Sequence, residues 1–213
     1  RRYDHITGRF LPKEIRKIRD VILVEGLHTL YPKQLLEELD VSFFIEMEES
    51  LRLYLSIKRD TEERGHLKEV VLSEVDKRQD DSEKYIKPQA ARADVVFTFL
   101  PINMELFEQD QVIDSNIKLR VCIRNGIYYQ ELVRVLIGVC GLQVNIDSVD
   151  ERGEVVLEIS GDVVSEDIRL AVNMLVPHMD ELLDFSAEFT EGIYGIMQII
   201  TVMEIDEALK RRR

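Results

Sequence analysis

Three groups of residues in this 213-residue chain have types and spacings that can do chemistry. The first is Glu25, which closes the run Val21-Ile-Leu-Val-Glu and is followed by Gly26. Four unbroken apolar residues predict a strand buried on both faces of a parallel sheet, with Glu25 at its carboxyl end. A carboxylate there, beside a glycine that lets a ligand approach the backbone, is what a nucleoside-triphosphate site uses to hold Mg2+, directly or through water. The plainer reading is a strand and a turn. The second group is Arg59-Asp60 with Arg64-Gly65. Two guanidiniums across a helix end can close over phosphates and neutralise charge as a phosphoryl group moves. Asp60 can serve as a base, a metal partner or a salt-bridge acceptor. The plainer reading is a solvated face in which Arg59 and Arg64 pair with Asp60, Glu62 and Glu63. The third group, Tyr3, His5 and Thr7, can line a polar substrate pocket; capping or surface duty is the alternative for His5.

These residues need elements to position them. Pro32 near a helix start and Leu35, Leu36 and Leu39 predict a short helix over 31–39. Strands follow at 41–47 and 94–100, with helices over 49–63 and 66–79 between them and a connector at 85–89. Strands alternating with helices indicate a parallel, layered α/β unit. Residues 102–115 are acidic and without period, a linker or edge segment. Beyond them the pattern changes. Residues 118–124, 142–149 and 154–159 alternate polar and apolar, as half-exposed strands do, with a hairpin turn at Asp150–Gly153. Helices are expected over 128–139, from Ser165 to about Val176, and from 193 to 209, the last apolar on several sides. The order β-α-β-β-α-α gives an α+β unit beside the first sheet.

Composition excludes several classes. Lys+Arg 28 against Asp+Glu 41 gives a net charge of −13, the wrong sign for a nucleic-acid binder, whose phosphate contacts need clustered cations. No apolar run approaches the ~20 residues of a membrane span, and no signal peptide is visible. Cys122 and Cys140 sit in apolar surroundings without metal-ligand spacing, which predicts buried thiols and a cytoplasmic, reducing setting. The opening Arg1-Arg-Tyr-Asp-His reads as the middle of a longer protein.

Several of these segments together resemble the phosphoribulokinase family, within a wider group that includes uridine kinase. They are Tyr3-Asp-His-Ile-Thr-Gly8, Ile22-Leu-Val-Glu-Gly-Leu-His28, Leu39-Asp40, Lys58-Arg-Asp-Thr-Glu-Glu-Arg-Gly-His66, Ile86-Lys-Pro-Gln89 and Ala93-Asp-Val-Val96. Leu157-Glu-Ile-Ser-Gly161 and Gly195-Ile-Met-Gln-Ile-Ile200 resemble the carboxyl-terminal part of the plant and archaeal type. The resemblance is dense over 3–101 and thinner beyond. It implies a P-loop NTPase-like parallel sheet, incomplete at its N-terminal side, with an appended α+β region. Residues 1–101 would be the later part of the kinase domain with its lid, 102–115 a linker and 116–213 the α+β region. It implies ATP and Mg2+ as cofactors and transfer of the γ-phosphate to the 1-hydroxyl of ribulose 5-phosphate to give ribulose 1,5-bisphosphate. A homodimer is expected from the chain itself, through an exposed strand edge or the apolar 193–203 face. Glu25 matches the family's acidic metal residue, Arg59 and Arg64 its lid arginines, Asp60 an aspartate that affects catalysis, and His5 a sugar-phosphate histidine. A uridine-kinase-like nucleoside kinase and a non-catalytic regulatory relative are the alternatives. Two features depart from the pattern. No Gly-x-x-x-x-Gly-Lys-Ser/Thr loop occurs in these residues, so the loop and the aspartate after it are expected upstream and this chain by itself is expected to be inactive. Ser56 stands where the family often has a lysine.

Overall fold

The computed structural model describes residues 3–4, 7–12, 21–108, 116–124, 129–150, 153–179 and 187–212. A small antiparallel ribbon, β1 (Tyr3–Asp4) and β2 (Arg9–Phe10), forms one sheet. The main sheet is built on β4, Val95–Pro101, whose Val95, Val96, Phe97 and Phe99 are buried. A near-continuous apolar run of this kind belongs to a strand covered on both faces. It pairs in parallel with β3 (Phe43–Met47) and antiparallel with β5 (Ile117–Ile123). The hairpin of β6 (Gln143–Val149) and β7 (Val155–Ser160) completes the order β3-β4-β5-β7-β6.

The α/β class stands, with strands at 43–47 and 95–101 beside the expected positions. Parallel pairing is confined to β3 and β4, so the sheet is mixed. The reason lies in the return from β4. Ile102 donates to the Asn116 carbonyl at 2.8 Å, and the Asn116 side chain bonds both to the backbone N–H of Asn103 (3.2 Å) and to its carbonyl (2.7 Å). These bonds tie the end of β4 to the start of β5 at one edge, and a chain that turns back at the same end pairs antiparallel. Part of 102–115 is a short helix, α4 (Met104–Glu108), which buries Phe107 against Leu51 and Phe99.

The expected strand over Val21–Val24 is not formed. These residues pair with no described strand, and their side chains are exposed, Leu23 to 86%. An apolar run becomes a strand only where a neighbour completes its backbone hydrogen bonds. The pattern records the surroundings the segment suits, and none of the described strands supplies them.

The helices are α1 (Lys33–Leu36), α2 (Glu49–Lys58), α3 (Lys68–Asp81), α5 (Tyr129–Gly138), α6 (Ser165–Leu175) and α7 (Gly192–Arg212). Alternate residues of β5 and β7 (Leu119, Val121, Leu157 and Ile159) are buried under α5, α6 and α7. Each such fully buried side chain contributes about 1.5–3 kcal/mol relative to exposure. Gly195 is required first by the Thr190 carbonyl, onto which a Cβ there would fall, and it also permits the close approach of α7 to α6, since that Cβ would lie 2.8 Å from Ile168 Cγ1. On the other face, Leu30, Ala93 and Val96 pack with Phe44 and Cys122. Both cysteines are free; Cys140 is buried, which pushes its thiol up to about 11.

Candidate active site

A cleft of about 1180 Å3 opens beside β3, one of the two edge strands of the sheet among the described residues. Its walls are β3 (Phe44, Glu46), α2 (Arg52, Ser56) and α3, with Leu27 and His28 from the turn after Glu25. Arg59 and Asp60 stand on its rim.

The rim is positioned by α2. Glu48 caps that helix, its carboxylate accepting from the backbone N–H groups of Ser50 (3.0 Å) and Leu51 (3.3 Å) and from the Ser50 hydroxyl. The Ser50 hydroxyl, ahead of those N–H groups, holds the Glu48 carboxyl below its usual range. At its far end α2 passes into a π-helical turn, Arg59–Glu63, a local widening that recurs at functional positions. The Thr61 hydroxyl donates back to the Ile57 carbonyl at 2.8 Å. Within this turn Asp60 Oδ1 accepts from Arg59 Nε at 2.8 Å and from Arg64 Nη1 at 3.0 Å. The Arg59 guanidinium first, with Arg64 and His66 adding to it, lowers the Asp60 carboxyl below its ordinary value. Gly65 closes the turn at φ 69°, a conformation that glycine adopts without strain. Arg59, Asp60 and Arg64 are thus brought together, and Asp60 takes both arginines. Each guanidinium is about half exposed.

Glu25 is exposed and begins the turn in which Thr29 donates to the Gly26 carbonyl through its N–H (3.3 Å) and hydroxyl (2.8 Å). Leu27, two residues on, borders the cleft; Glu25 itself does not. Thr7 is exposed in the turn between β1 and β2. Tyr3 lies in β1, but its side chain, like the whole of His5, falls outside the described residues. No group of three or more His, Cys, Asp or Glu side chains converges among the described residues. A dedicated all-protein metal cage is therefore not formed there. A single exposed carboxylate nevertheless fits Mg2+, which takes one or two protein carboxylates and completes its shell with phosphate oxygens and water.

Sequence reasoning missed three features of the cleft. Thr98 donates to Glu46 at 3.0 Å across β4 and β3; the one carboxylate in an otherwise apolar strand was the available signal. His28, Tyr31 and Tyr85 form an edge-to-face aromatic row with centroids 6.3 and 5.7 Å apart. Arg52, Arg78 and Lys87 line the cleft already paired with Glu49, Glu74 and Glu83, so a bound anion would compete with these carboxylates.

The fold and cleft define an α/β protein with a charged cleft at a sheet edge and a helical rim above it. Residues 1–105 match the model of the Phosphoribulokinase / Uridine kinase family. Phosphoribulokinase from Synechocystis sp. is 31% identical over 129 residues, which are 61% of this chain and 38% of that protein. The chloroplastic phosphoribulokinase of Spinacia oleracea is 33% identical over 102 residues, 48% of this chain and 25% of the relative. Uridine-cytidine kinase A of Dictyostelium discoideum is 38% identical over 78 residues, 36% of this chain and 16% of its own length. A solved phosphoribulokinase from Rhodobacter spheroides overlays on 70% of this chain and 50% of its own, with TM-score 0.46 and 19% identity. The chain thus spans well under half the length of these curated relatives. Over its first 105 residues the chain is similar to the phosphoribulokinase/uridine kinase family.

Proposed function

We propose that this chain is the lid and metal-binding part of an ATP-dependent sugar-phosphate kinase that phosphorylates ribulose 5-phosphate to ribulose 1,5-bisphosphate. The observation that carries this reading is the pairing of Arg59 and Arg64 on one carboxylate at the rim of the cleft. Phosphoryl transfer asks little covalent chemistry of a protein; it asks for positioning and for neutralisation of charge on the moving group. Two half-exposed guanidiniums, oriented by Asp60, supply planar donors to phosphate oxygens. Mg2+, carried with ATP, would neutralise phosphate charge, and Glu25 is the carboxylate assigned to it. Tyr3, His5 and Thr7 are assigned to the acceptor sugar phosphate. A homodimer fits the exposed edge of β6, because the buried Ile196, Ile199 and Ile200 of the 193–203 face are part of the core.

The experiment is an assay of the protein in its full natural length with Mg·ATP and either ribulose 5-phosphate or uridine. Transfer to ribulose 5-phosphate, reduced about 10²-fold in kcat by Arg59→Ala, supports the reading. Transfer to uridine alone moves the assignment to a nucleoside kinase, which the 78-residue match to uridine-cytidine kinase favours. Transfer to neither leaves the non-catalytic relative.

A further inference from the structure

The turn after Glu25 is held by a buried side chain some sixty residues away. Gln89 is 2% exposed and lies in the 3-10 stretch Lys87–Arg92. Its Oε1 accepts from the Leu30 N–H at 2.9 Å. Its Nε2 donates to the carbonyls of Leu27 (3.0 Å) and Tyr85 (2.8 Å). Arg92 adds two bonds, donating to the carbonyls of Leu30 (3.2 Å) and Tyr31 (2.9 Å). On the other side of Glu25, Val21–Val24 pairs with no described strand. Among the described residues, the place of Glu25 relative to the cleft is therefore set from its carboxyl-terminal side.

The chemistry of this clamp is specific to an amide. The three backbone groups comprise one donor and two acceptors, and a glutamine carbonyl and NH2 match them all. A glutamate at this position would keep the bond from Leu30 and turn an oxygen against two carbonyls. A leucine would leave all three groups unpaired in a buried setting, which carries the full desolvation cost of each.

We propose that Gln89 is a positioning residue. It fixes the Leu27–Leu30 turn, and with it the Leu27–His28 wall of the cleft and the backbone that carries the exposed Glu25 carboxylate two residues earlier. The proposal rests on the assignment of Glu25 to the metal. Its logic is that of outer-shell partners of metal ligands, whose loss weakens metal affinity about 10–100-fold without touching the ion.

Two measurements on the full-length protein test it. The first is amide hydrogen exchange without ligand. Gln89→Leu is expected to speed exchange at 27–31 at least tenfold and to leave the amides of β5, β7 and α6 unchanged. The second is the Mg2+ concentration giving half-maximal phosphoryl transfer. Gln89→Leu is expected to raise it about tenfold, Glu25→Gln to raise it comparably, and the double variant to add little more. Unchanged exchange at 27–31, or effects that add in the double variant, overturns the proposal. If Glu25→Gln leaves the Mg2+ dependence untouched while Gln89→Leu still loosens the turn, the assignment of Glu25 fails and the clamp itself stands. Should Gln89→Leu not fold, Gln89→Glu, which keeps one bond of three, carries the same two readouts.

Discussion

Asp60 engages two arginines through one oxygen, and its lowered pKa means that it stays ionised well into the acid range. Asp60→Asn removes the charge that orients both guanidiniums while keeping the side chain's size. Under the proposed function it should lower kcat at least tenfold, with a smaller change in KM for ATP, in steady-state kinetics. A different carboxyl governs stability. Glu204 on α7 is pushed up to about 7, chiefly by burial; Asp94 and Glu207 add to the rise and Arg211 opposes it. A carboxyl raised in the folded state binds more protons folded than unfolded. Its contribution is complete below the ordinary carboxylate range and is lost as pH rises through about 7. With solvent screening of a partly exposed group, the loss is on the order of 1–2 kcal/mol. Glu204→Gln should flatten the decline in Tm between pH 5 and 8, read by thermal denaturation. At this scale the sequence was informative where spacing alone brings side chains together, as for Arg59, Asp60 and Arg64 in one helical turn and a half. It marked Gln89 only as part of a resembling segment and gave it no role, because an amide in a connector gains meaning only when the backbone of Leu27 and Leu30 is placed against it.

At the scale of elements, α2 carries the rim of the cleft, and its start depends on Glu48. The sequence places the helix start at Glu49; the cap is the residue before it, as the bonds from Ser50 and Leu51 to Glu48 show. Glu48→Ala should cost about 1 kcal/mol of stability, measured by urea denaturation, and should lower helical order across 49–58 first in hydrogen exchange. Strands that carry their own evidence of burial were legible: β4 as an apolar run, β5 and β7 as alternation. Val21–Val24 shares the pattern of β4 and has no strand beside it in the described structure. Periodicity reports which surroundings a segment suits; pairing depends on whether another strand is there.

At the scale of the molecule, the α+β half is continuous with the kinase-like half through the β4–β5 pairing. Arg124 ties the same two parts, donating to the carbonyls of Ala90 (3.0 Å) and Ala93 and pairing with Glu154 at 3.2 Å. Gly195→Ala should therefore be felt beyond its own helix. The added methyl meets the Thr190 carbonyl and presses on Ile168, costs about 1–3 kcal/mol or more as overpacking, and should lower the Tm of a single cooperative transition rather than release one half. The pattern of the sequence changes near residue 116, yet sheet continuity across it was invisible there, since pairing direction depends on the Asn116 bonds and leaves no periodic trace.

The central claim is that the cleft beside β3, beneath the Arg59–Asp60–Arg64 turn, receives the phosphates of a nucleoside triphosphate. Equilibrium titration of the full-length protein with Mg·ATP, compared with Arg59→Ala and Arg64→Ala, tests it most directly. The account predicts saturable binding that weakens about tenfold or more in each variant and falls with salt, as charge-assisted contacts to phosphate do. Binding of equal strength in all three proteins, or none in the natural one, would contradict it.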